Sequence, residues 1–467
     1  MDLAQGKIAV LGLARSGEAV VLALLRLGAQ VTVIDRQDAA RLGEVTQRVQ
    51  QAGALLHLGD DTDTSVLDGI QMLVLSPGIP GEHPLRKAAL DRGIKVIGEM
   101  ELGYLLRPDI RYLGVTGSNG KTTCTSLLAA MLGWAGLPGV AAGNIGTPLC
   151  SLLDSLPQNS PLAIEVSSYQ LRDASQFHAH VGVLLNISPD HLDVHGSWED
   201  YVQCKAAIFR NQNTDDYAVY FVDDPVTTDI ARQVASHQMP FSITRELPQG
   251  GFVHSGVLLI RTEKLELELG TTEDFKLQGP HNHANILAAG LAALAVGVPP
   301  EAIMAVAQEF TPLPHRLEPC GELGGVLFIN DSKATNVDSV MMALRSQYRP
   351  VVLIAGNYDK DGDFKALIPL LRERVKAAVL IGKAASKLYR AWHGIIPIEV
   401  IPWAEQEERP VPGMAQAVRR GWELAKPNGV VLLSPACASF DMYHNYEHRG
   451  DVFKEEVARL IAEEGGA

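Results

Sequence analysis

The chain is short of positive charge. Its 40 lysines and arginines face 54 aspartates and glutamates, a formal net charge of -14 at pH 7. Nonspecific nucleic-acid binding needs a basic footprint, so this balance argues against nucleic acid as a partner. Acidic ligands must be met by local lysines and glycine loops instead. No apolar run approaches the roughly 18 uninterrupted residues that span a bilayer. The first residues enter a strand-like segment at Lys7 to Val10 without a signal-peptide layout. The expectation is a cytoplasmic protein with no membrane insertion. Cysteine is scarce: Cys124, Cys150, Cys204, Cys320 and Cys437 are odd in number, scattered and free of any C-x-x-C pair. Neither a disulfide framework nor a zinc site is supported, and a reducing compartment fits best. Solenoid repeats and low-complexity tracts are also missing.

What is present starts with 467 residues at 46% hydrophobic content, enough for about three packed domains. The densest signal is Gly114-Val-Thr-Gly-Ser-Asn-Gly-Lys-Thr-Thr123, directly after the apolar run Ile110 to Leu113. It reads as a strand feeding a phosphate-binding loop, with a helix to follow over Thr125 to Leu132. Glycines let backbone N–H groups turn onto phosphate oxygens. Lys121 adds positive charge, and Thr122 offers a hydroxyl to magnesium. The strict template has glycine where this chain has Val115, so the arrangement is G-x-x-G-x-x-G-K-T.

Residues 1–97 alternate short β-rich runs with helical ones: Ile8 to Leu11, a helix near Glu18 to Leu27, Val31 to Asp35, and Met72 to Leu75. That predicts half a doubly wound, Rossmann-like sheet. The turn Gly12-Leu-Ala-Arg-Ser-Gly17 matches G-x-G-x-x-G except at Ala14, which replaces the glycine that lets a pyrophosphate approach closest. Three readings stay open there: a mononucleotide or nucleotide-sugar site, a structural turn, or a nicotinamide site. Ser76-Pro-Gly78 lines the same carboxyl edge.

Residues 98–311 form a central ATPase-type domain. Two of its strands end in polar groups: Leu162 to Val166 carries Glu165, and Val181 to Ile187 leads into Pro189-Asp190-His191. Ligands collect at strand carboxyl ends in open α/β sheets, so Glu165 and His191 are expected beside Thr122, as a magnesium site. From Ala218 to Leu277 alternation predicts a small antiparallel sheet. A helix from about Asn282 to Val296 carries Asn285.

Residues 312–467 follow the Pro-interrupted stretch Thr311 to His315 and again alternate strands with helices, a second Rossmann-like domain. Its strands end in Asn330-Asp-Ser-Lys333, Gly356-Asn-Tyr-Asp-Lys360, Gly382-Lys383 and Ser434-Pro-Ala-Cys-Ala-Ser439. One such end is an ordinary turn; four together point to a site.

These residues resemble the ATP-dependent Mur ligases along essentially the whole chain. Asn330 to Asn336, Leu433 to Asp441 and Arg449-Gly450 resemble the branch that adds D-glutamate to UDP-N-acetylmuramoyl-L-alanine. The D-N-P-R signature of the diaminopimelate- or lysine-adding branches is missing. The resemblance implies that Gly117, Ser118, Asn119, Gly120, Lys121, Thr122 and Thr123 hold ATP, with Asn285, Arg316 and Asp331 on the nucleotide side. It implies two magnesium ions on Thr122, Glu165, His191 and Lys205, the last as a carbamate, an anionic oxygen ligand on a long arm. Arg15, Ser16, Asp35, Arg36, Ser76 and Gly78 fall where the uridine diphosphate is held, and Asn144 and Ser167 on the sugar-peptide side. Lys333, Thr335, Lys360, Ser439 and Tyr446 fall on the D-glutamate side. Lys121, His191 and Lys205 would be catalytic, with His191 or a nearby carboxylate taking the amine's proton. The implied product belongs to cytoplasmic peptidoglycan precursor synthesis, hence to cell-wall growth and division, and a monomer is expected. Rival readings are another amino-acid-adding ligase of this type, a folylpolyglutamate synthase, a nucleotide-sugar oxidoreductase and a phosphate-loop switch.

Overall fold

The computed structural model describes residues 3–77, 79, 81–145, 147–189, 195–311, 314–359, 362–402 and 412–465. They form two compact units, Met1–Phe275 with His283–Glu309, and Lys276–Asn282 with Phe310–Ala467.

The first unit carries two sheets. In the first, β1 (Lys7–Leu11), β2 (Gln30–Asp35), β3 (Leu55–Leu58), β4 (Met72–Leu75) and β5 (Lys95–Gly98) lie parallel in the order β3-β2-β1-β4-β5. Strands covered on both faces read as continuous apolar runs. Along β1, Ile8 and Val10 enter one core while Ala9 and Leu11 enter the other. The helix Arg15–Arg26 closes the first of these with Val20, Val21 and Leu24. Strands β3 and β5 extend the sheet beyond the sequence expectation. Their short runs, partly buried at most positions, leave little apolar pattern to detect.

The second sheet has nine strands: β6 (Arg111–Thr116), β7 (Ala141–Gly143), β8 (Pro161–Glu165), β9 (Val181–Leu184), β10 (Tyr217–Phe221), β11 (His237–Ser242), β12 (Gly250–His254), β13 (Val257–Arg261) and β14 (Glu266–Thr271), in the order β14-β13-β12-β11-β10-β9-β6-β8-β7. The antiparallel part expected from Ala218 onward needs correction in its extent. Only β12, β13 and β14 pair antiparallel, while β10 and β11 run parallel to β9 and to each other, and all belong to the same sheet. The helix Pro225–Ala231 crosses between β10 and β11, and a crossover of that kind returns the chain parallel.

In the second unit, β15 (Glu318–Leu323) pairs antiparallel with β16 (Val326–Asn330). The sheet continues in parallel through β20 (Val430–Leu433), β17 (Val351–Gly356), β18 (Val375–Ile381) and β19 (Ile398–Val400). Alternate residues of β17 again feed two cores, Val352 and Ile354 on one face, Val351 and Leu353 on the other. Every parallel sheet thus points its strand carboxyl ends at one edge, where ligands of such folds gather.

Candidate functional site

Between β6 and the helix Lys121–Trp134 the chain turns through Gly117 and Gly120 at φ +153° and +85°. Gly120 admits no side chain, because a Cβ there would lie 2.3 Å from Asn285 Oδ1. Asn285 therefore sits against the loop. The Gly120 N-cap makes no side-chain cap bond to this 14-residue helix, and a helix start is the part of a helix whose N–H groups suit an anion. Behind the loop, Asn186 accepts from Asn119 N at 2.8 Å and donates to the Asn119 carbonyl at 3.0 Å. Ser118 N donates to the Asn186 carbonyl at 2.9 Å. Lys121 Nζ donates to the carbonyls of Gly117 and Ser118, both at 2.8 Å. Lys205, buried on the helix Trp198–Ala206, reaches the same Gly117 carbonyl at 2.7 Å, with Nζ 4.6 Å from the Tyr201 ring centroid. Residues 88 positions apart therefore meet at the loop.

Glu165 ends β8 and pairs in register with Val115 of β6. Its Oε1 accepts from Asn144 Nδ2 at 2.9 Å, while its buried Oε2 has no hydrogen-bond partner among the described residues. A buried carboxylate oxygen left unmatched suits a hard cation, and Thr122 adds a hydroxyl at the helix start. These donors fit magnesium. His191 lies outside the described residues. Ser167 caps the helix Ser168–Arg172 in a reciprocal capping box with Gln170, so its hydroxyl has a local structural duty.

At the switch point of the first sheet, Ser76 Oγ donates to the Gly12 carbonyl at 2.6 Å. Asp35 accepts from Leu13 N at 2.7 Å and Gln37 N at 2.8 Å. Three strand ends are thereby tied into one rim, and a Cβ on Gly17 would lie 1.9 Å from the Gly12 carbonyl oxygen. Arg15 and Arg36 are exposed at this rim, Ser16 is half-buried on the first turn of the following helix, and Gly78 lies outside the described residues. Arg86 donates to Gly81 O at 3.1 Å and pairs with Asp173 at 2.7 Å, linking the segment after β4 to the end of the helix after β8.

In the second unit the buried Arg449 guanidinium donates to Ser332 Oγ (2.9 Å), Ser332 O (2.7 Å), Asn357 Oδ1 (3.0 Å) and Cys437 O (3.0 Å). One side chain of the helix Tyr446–Glu464 thus fastens the segments after β16, β17 and β20. Ser332 Oγ passes the link on to the Tyr446 carbonyl at 2.8 Å, and Lys333 Nζ stands 3.8 Å from the Tyr446 ring centroid. Lys333, Tyr446 and the buried Ser439 therefore belong to segments held together by Arg449; Thr335 N donates to the Lys333 carbonyl at 2.9 Å, and Lys360 lies outside the described residues. Burial raises the Asp331 carboxyl to about 7 against the lesser pull of Ser434 Oγ, Leu317 N and the Arg316 charge. Arg316 and Asp331 lie in this second unit, whereas Asn285 lies in the first.

Sequence reasoning gave no role to Tyr201 or His195, and it named Asn186, Asn357 and Arg449 only within strand ends or motifs, without the contacts described above. Asn186 and Asn357 do stand at strand carboxyl ends, a usable signal. Arg449 stands out only through the resemblance, and its burial has no signal of its own, because an isolated arginine in a helix ordinarily reads as exposed.

Three family descriptions match consecutive stretches: "Mur ligase MurD-like, N-terminal domain" over residues 6–98, "Mur ligase middle domain" over 115–293 and "Mur ligase, glutamate ligase domain" over 315–437. A UDP-N-acetylmuramoylalanine–D-glutamate ligase of Geobacter metallireducens is 39% identical over 98% of this chain and 99% of its own length. The chain belongs to the Mur ligase family. A Mur ligase of the same printed name from Caldanaerobacter subterraneus subsp. tengcongensis is 37% identical over 98% of this chain and all of its own. Among solved structures, a pseudomurein peptide ligase type C from Methanothermus fervidus covers 98% of this chain and 100% of its own at TM-score 0.62 and 18% identity, which shows a shared fold. As a Mur ligase the chain is an enzyme with the family's three α/β domains, and no helix among its described residues is long and apolar enough to cross a membrane.

Proposed function

We propose that this Mur ligase joins D-glutamate to UDP-N-acetylmuramoyl-L-alanine at the expense of ATP, in the cytoplasm and as a monomer, with domains at 1–97, 98–311 and 312–467. The observation that carries the ATP half is the convergence of Lys121 and Lys205 on the Gly117 carbonyl, together with an unmatched Glu165 oxygen at the end of β8, the strand paired with β6. The printed names of the full-length relatives support the substrate half.

In this reading the L-alanyl carboxylate oxygen attacks the γ-phosphorus of ATP and the bond to ADP breaks, leaving an acyl phosphate. The D-glutamate nitrogen then attacks the acyl carbon, phosphate departs with its electron pair, and the nitrogen gives up a proton. The first obstacle is Coulombic: two unit charges about 4 Å apart repel by roughly 4 kcal/mol at an effective dielectric near 20. Lys121 and the helix N–H groups hold the phosphates, and Asn186 keeps the loop shaped before substrate arrives. Thr122, Glu165, His191 and a carbamate on Lys205 would hold two magnesium ions, which neutralise phosphate oxygens when bound. Gly117 to Thr123 and Asn285 complete the ATP site within the first unit; Arg316 and Asp331 keep the nucleotide-side role that the resemblance implies. The rim of Arg15, Ser16, Asp35, Arg36, Ser76 and Gly78 receives the uridine diphosphate, Asn144 and Ser167 the sugar-peptide, and Lys333, Thr335, Lys360, Ser439 and Tyr446 the D-glutamate. His191 or a nearby carboxylate accepts the amine's proton.

The test is ADP release with UDP-N-acetylmuramoyl-L-alanine against a panel of D- and L-amino acids. Strict dependence on D-glutamate is expected; turnover driven by L-lysine or diaminopimelate instead overturns the substrate assignment.

A further inference from the structure

His195 has a duty that the proposed chemistry leaves unassigned. Its Nε2 lies 2.9 Å from Ser168 Oγ, and its Nδ1 lies 2.9 Å from Asp200 Oδ2 and 2.8 Å from Arg172 NH2. Tyr169 stacks on the buried ring at 5.2 Å between centroids, and Tyr201 meets it edge-on at 5.1 Å. Tyr201 in turn shares a 2.9 Å hydrogen bond with Ser118 of the phosphate loop and carries the Lys205 ammonium over its face.

Two other readings of this cluster fail on geometry. Ser168, His195 and Asp200 stand in the order of a nucleophilic triad, but Ser168 is 3% exposed and its hydroxyl faces the interior. His195, Asp200 and Cys204 present ligand atoms within 4.8 Å of one another, as a metal site would. The Arg172 guanidinium, 2.5 Å from the same Asp200 oxygen, puts a positive charge where a cation would sit. The remaining reading is mechanical. With the proton on Nδ1 the ring donates to Asp200 and accepts from Ser168; with it on Nε2 the ring donates to Ser168 and accepts from Arg172. Either neutral form is fully bonded, and burial, the largest influence, keeps the pKa below the ordinary histidine value.

We propose that His195 is a positioning residue for ATP: bonded to the helix after β8 and to the helix that bears Lys205, it seats Tyr201 against Ser118 and so sets the loop and the Lys205 arm together. The inference rests on the ATP-site reading above. It commits to one consequence, that loosening His195 weakens nucleotide binding before it unfolds the protein.

The experiment is the Kd of magnesium-ATP by calorimetry on the full chain without muramyl substrate, beside thermal melting and the Kd for UDP-N-acetylmuramoyl-L-alanine. His195→Phe keeps a stacking ring and removes both nitrogens. The expected result is a rise on the order of 10- to 100-fold in the ATP Kd, as for supporting partners of metal-site residues, with the muramyl Kd unchanged. An unchanged ATP Kd in folded His195→Phe overturns the inference, and so does an equal loss of both affinities, which marks a merely structural role. Should His195→Phe not fold, Ser168→Ala, which deletes only the hydroxyl opposite Nε2, carries the test: a rise of about 2- to 10-fold supports the inference and no rise overturns it. Wild-type protein that binds no ATP would sink the ATP-site reading itself, a result distinct from a variant that binds like wild type.

Discussion

Lys121 and Lys205 donate to one and the same carbonyl oxygen, that of Gly117, at 2.8 and 2.7 Å. Their ammonium groups are therefore no more than about 5.5 Å apart, and two unit positive charges at that separation repel by roughly 3 kcal/mol at an effective dielectric near 20. A phosphate on Lys121, or conversion of Lys205 to an anion, turns the repulsion into attraction.

Lys121→Ala removes the half of this pair that stands at the helix start. ATP turnover should fall by roughly 100- to 1000-fold, the scale seen when one preorganised charge-stabilising donor is lost. The fold should persist, because Lys121 is partly exposed and outside the hydrophobic cores. Coupled ADP assays and circular dichroism check both halves, and a variant that turns over at the wild-type rate contradicts the phosphate-loop assignment.

Lys205 is buried beside Lys121, which gives a physical motive for its carboxylation. Activity should decline in degassed buffer at constant pH and recover when bicarbonate is restored, by about tenfold or more, since a metal ligand is lost and regained. A rate indifferent to dissolved carbon dioxide, with an unmodified amine in the active enzyme, speaks against the carbamate.

Arg449 is buried with a guanidinium whose pKa burial lowers to about 10. Arg449→Met leaves Ser332 O, Cys437 O and Asn357 Oδ1 without their donor. Each buried acceptor stranded in this way costs about 1–3 kcal/mol, partly offset by no longer burying a charge. The expected loss of stability is about 3 kcal/mol. Arg449→Lys should recover little of it, since one ammonium cannot span three segments. Urea midpoints measure it, and an unmoved midpoint contradicts the role given to this side chain.

The Asp331 carboxyl, raised to about 7 mainly by burial, makes stability depend on pH. Between about pH 4 and pH 7 the native group holds a proton that the unfolded one has released, so stability falls as pH rises through that window, by up to about 1.4 kcal/mol per unit from this residue. Asp331→Asn should flatten that part of the profile. Chemical melts at pH 5, 6 and 7 on both proteins compare the slopes; equal slopes mean that the carboxyl titrates elsewhere.

Local patterns were legible because they are set by neighbours in sequence. The apolar run before Gly114, the glycines at 117 and 120, and the helix behind Lys121 each follow from short-range sterics, and the strand ends at Glu165 and Leu433 follow from strand patterning. The parallel pairing of β10 and β11 differs from the antiparallel expectation, because alternation reports a half-buried strand without saying which way its neighbour runs. The capping box of Ser167 with Gln170 is readable from the Ser-x-x-Gln spacing once a helix is placed there.

By itself the sequence determined the chemical kind of this protein: a glycine loop with a lysine, two Rossmann-like patterns around it, and the motifs of a Mur ligase. Tertiary structure decided which charges meet. That Lys205 reaches Gly117 across 88 residues, that Arg449 fastens three strand ends and that His195 joins two helices are consequences of packing. Burial and distance, which set the strength of a charge or a hydrogen bond, are properties of the folded chain in three dimensions and of no segment within it.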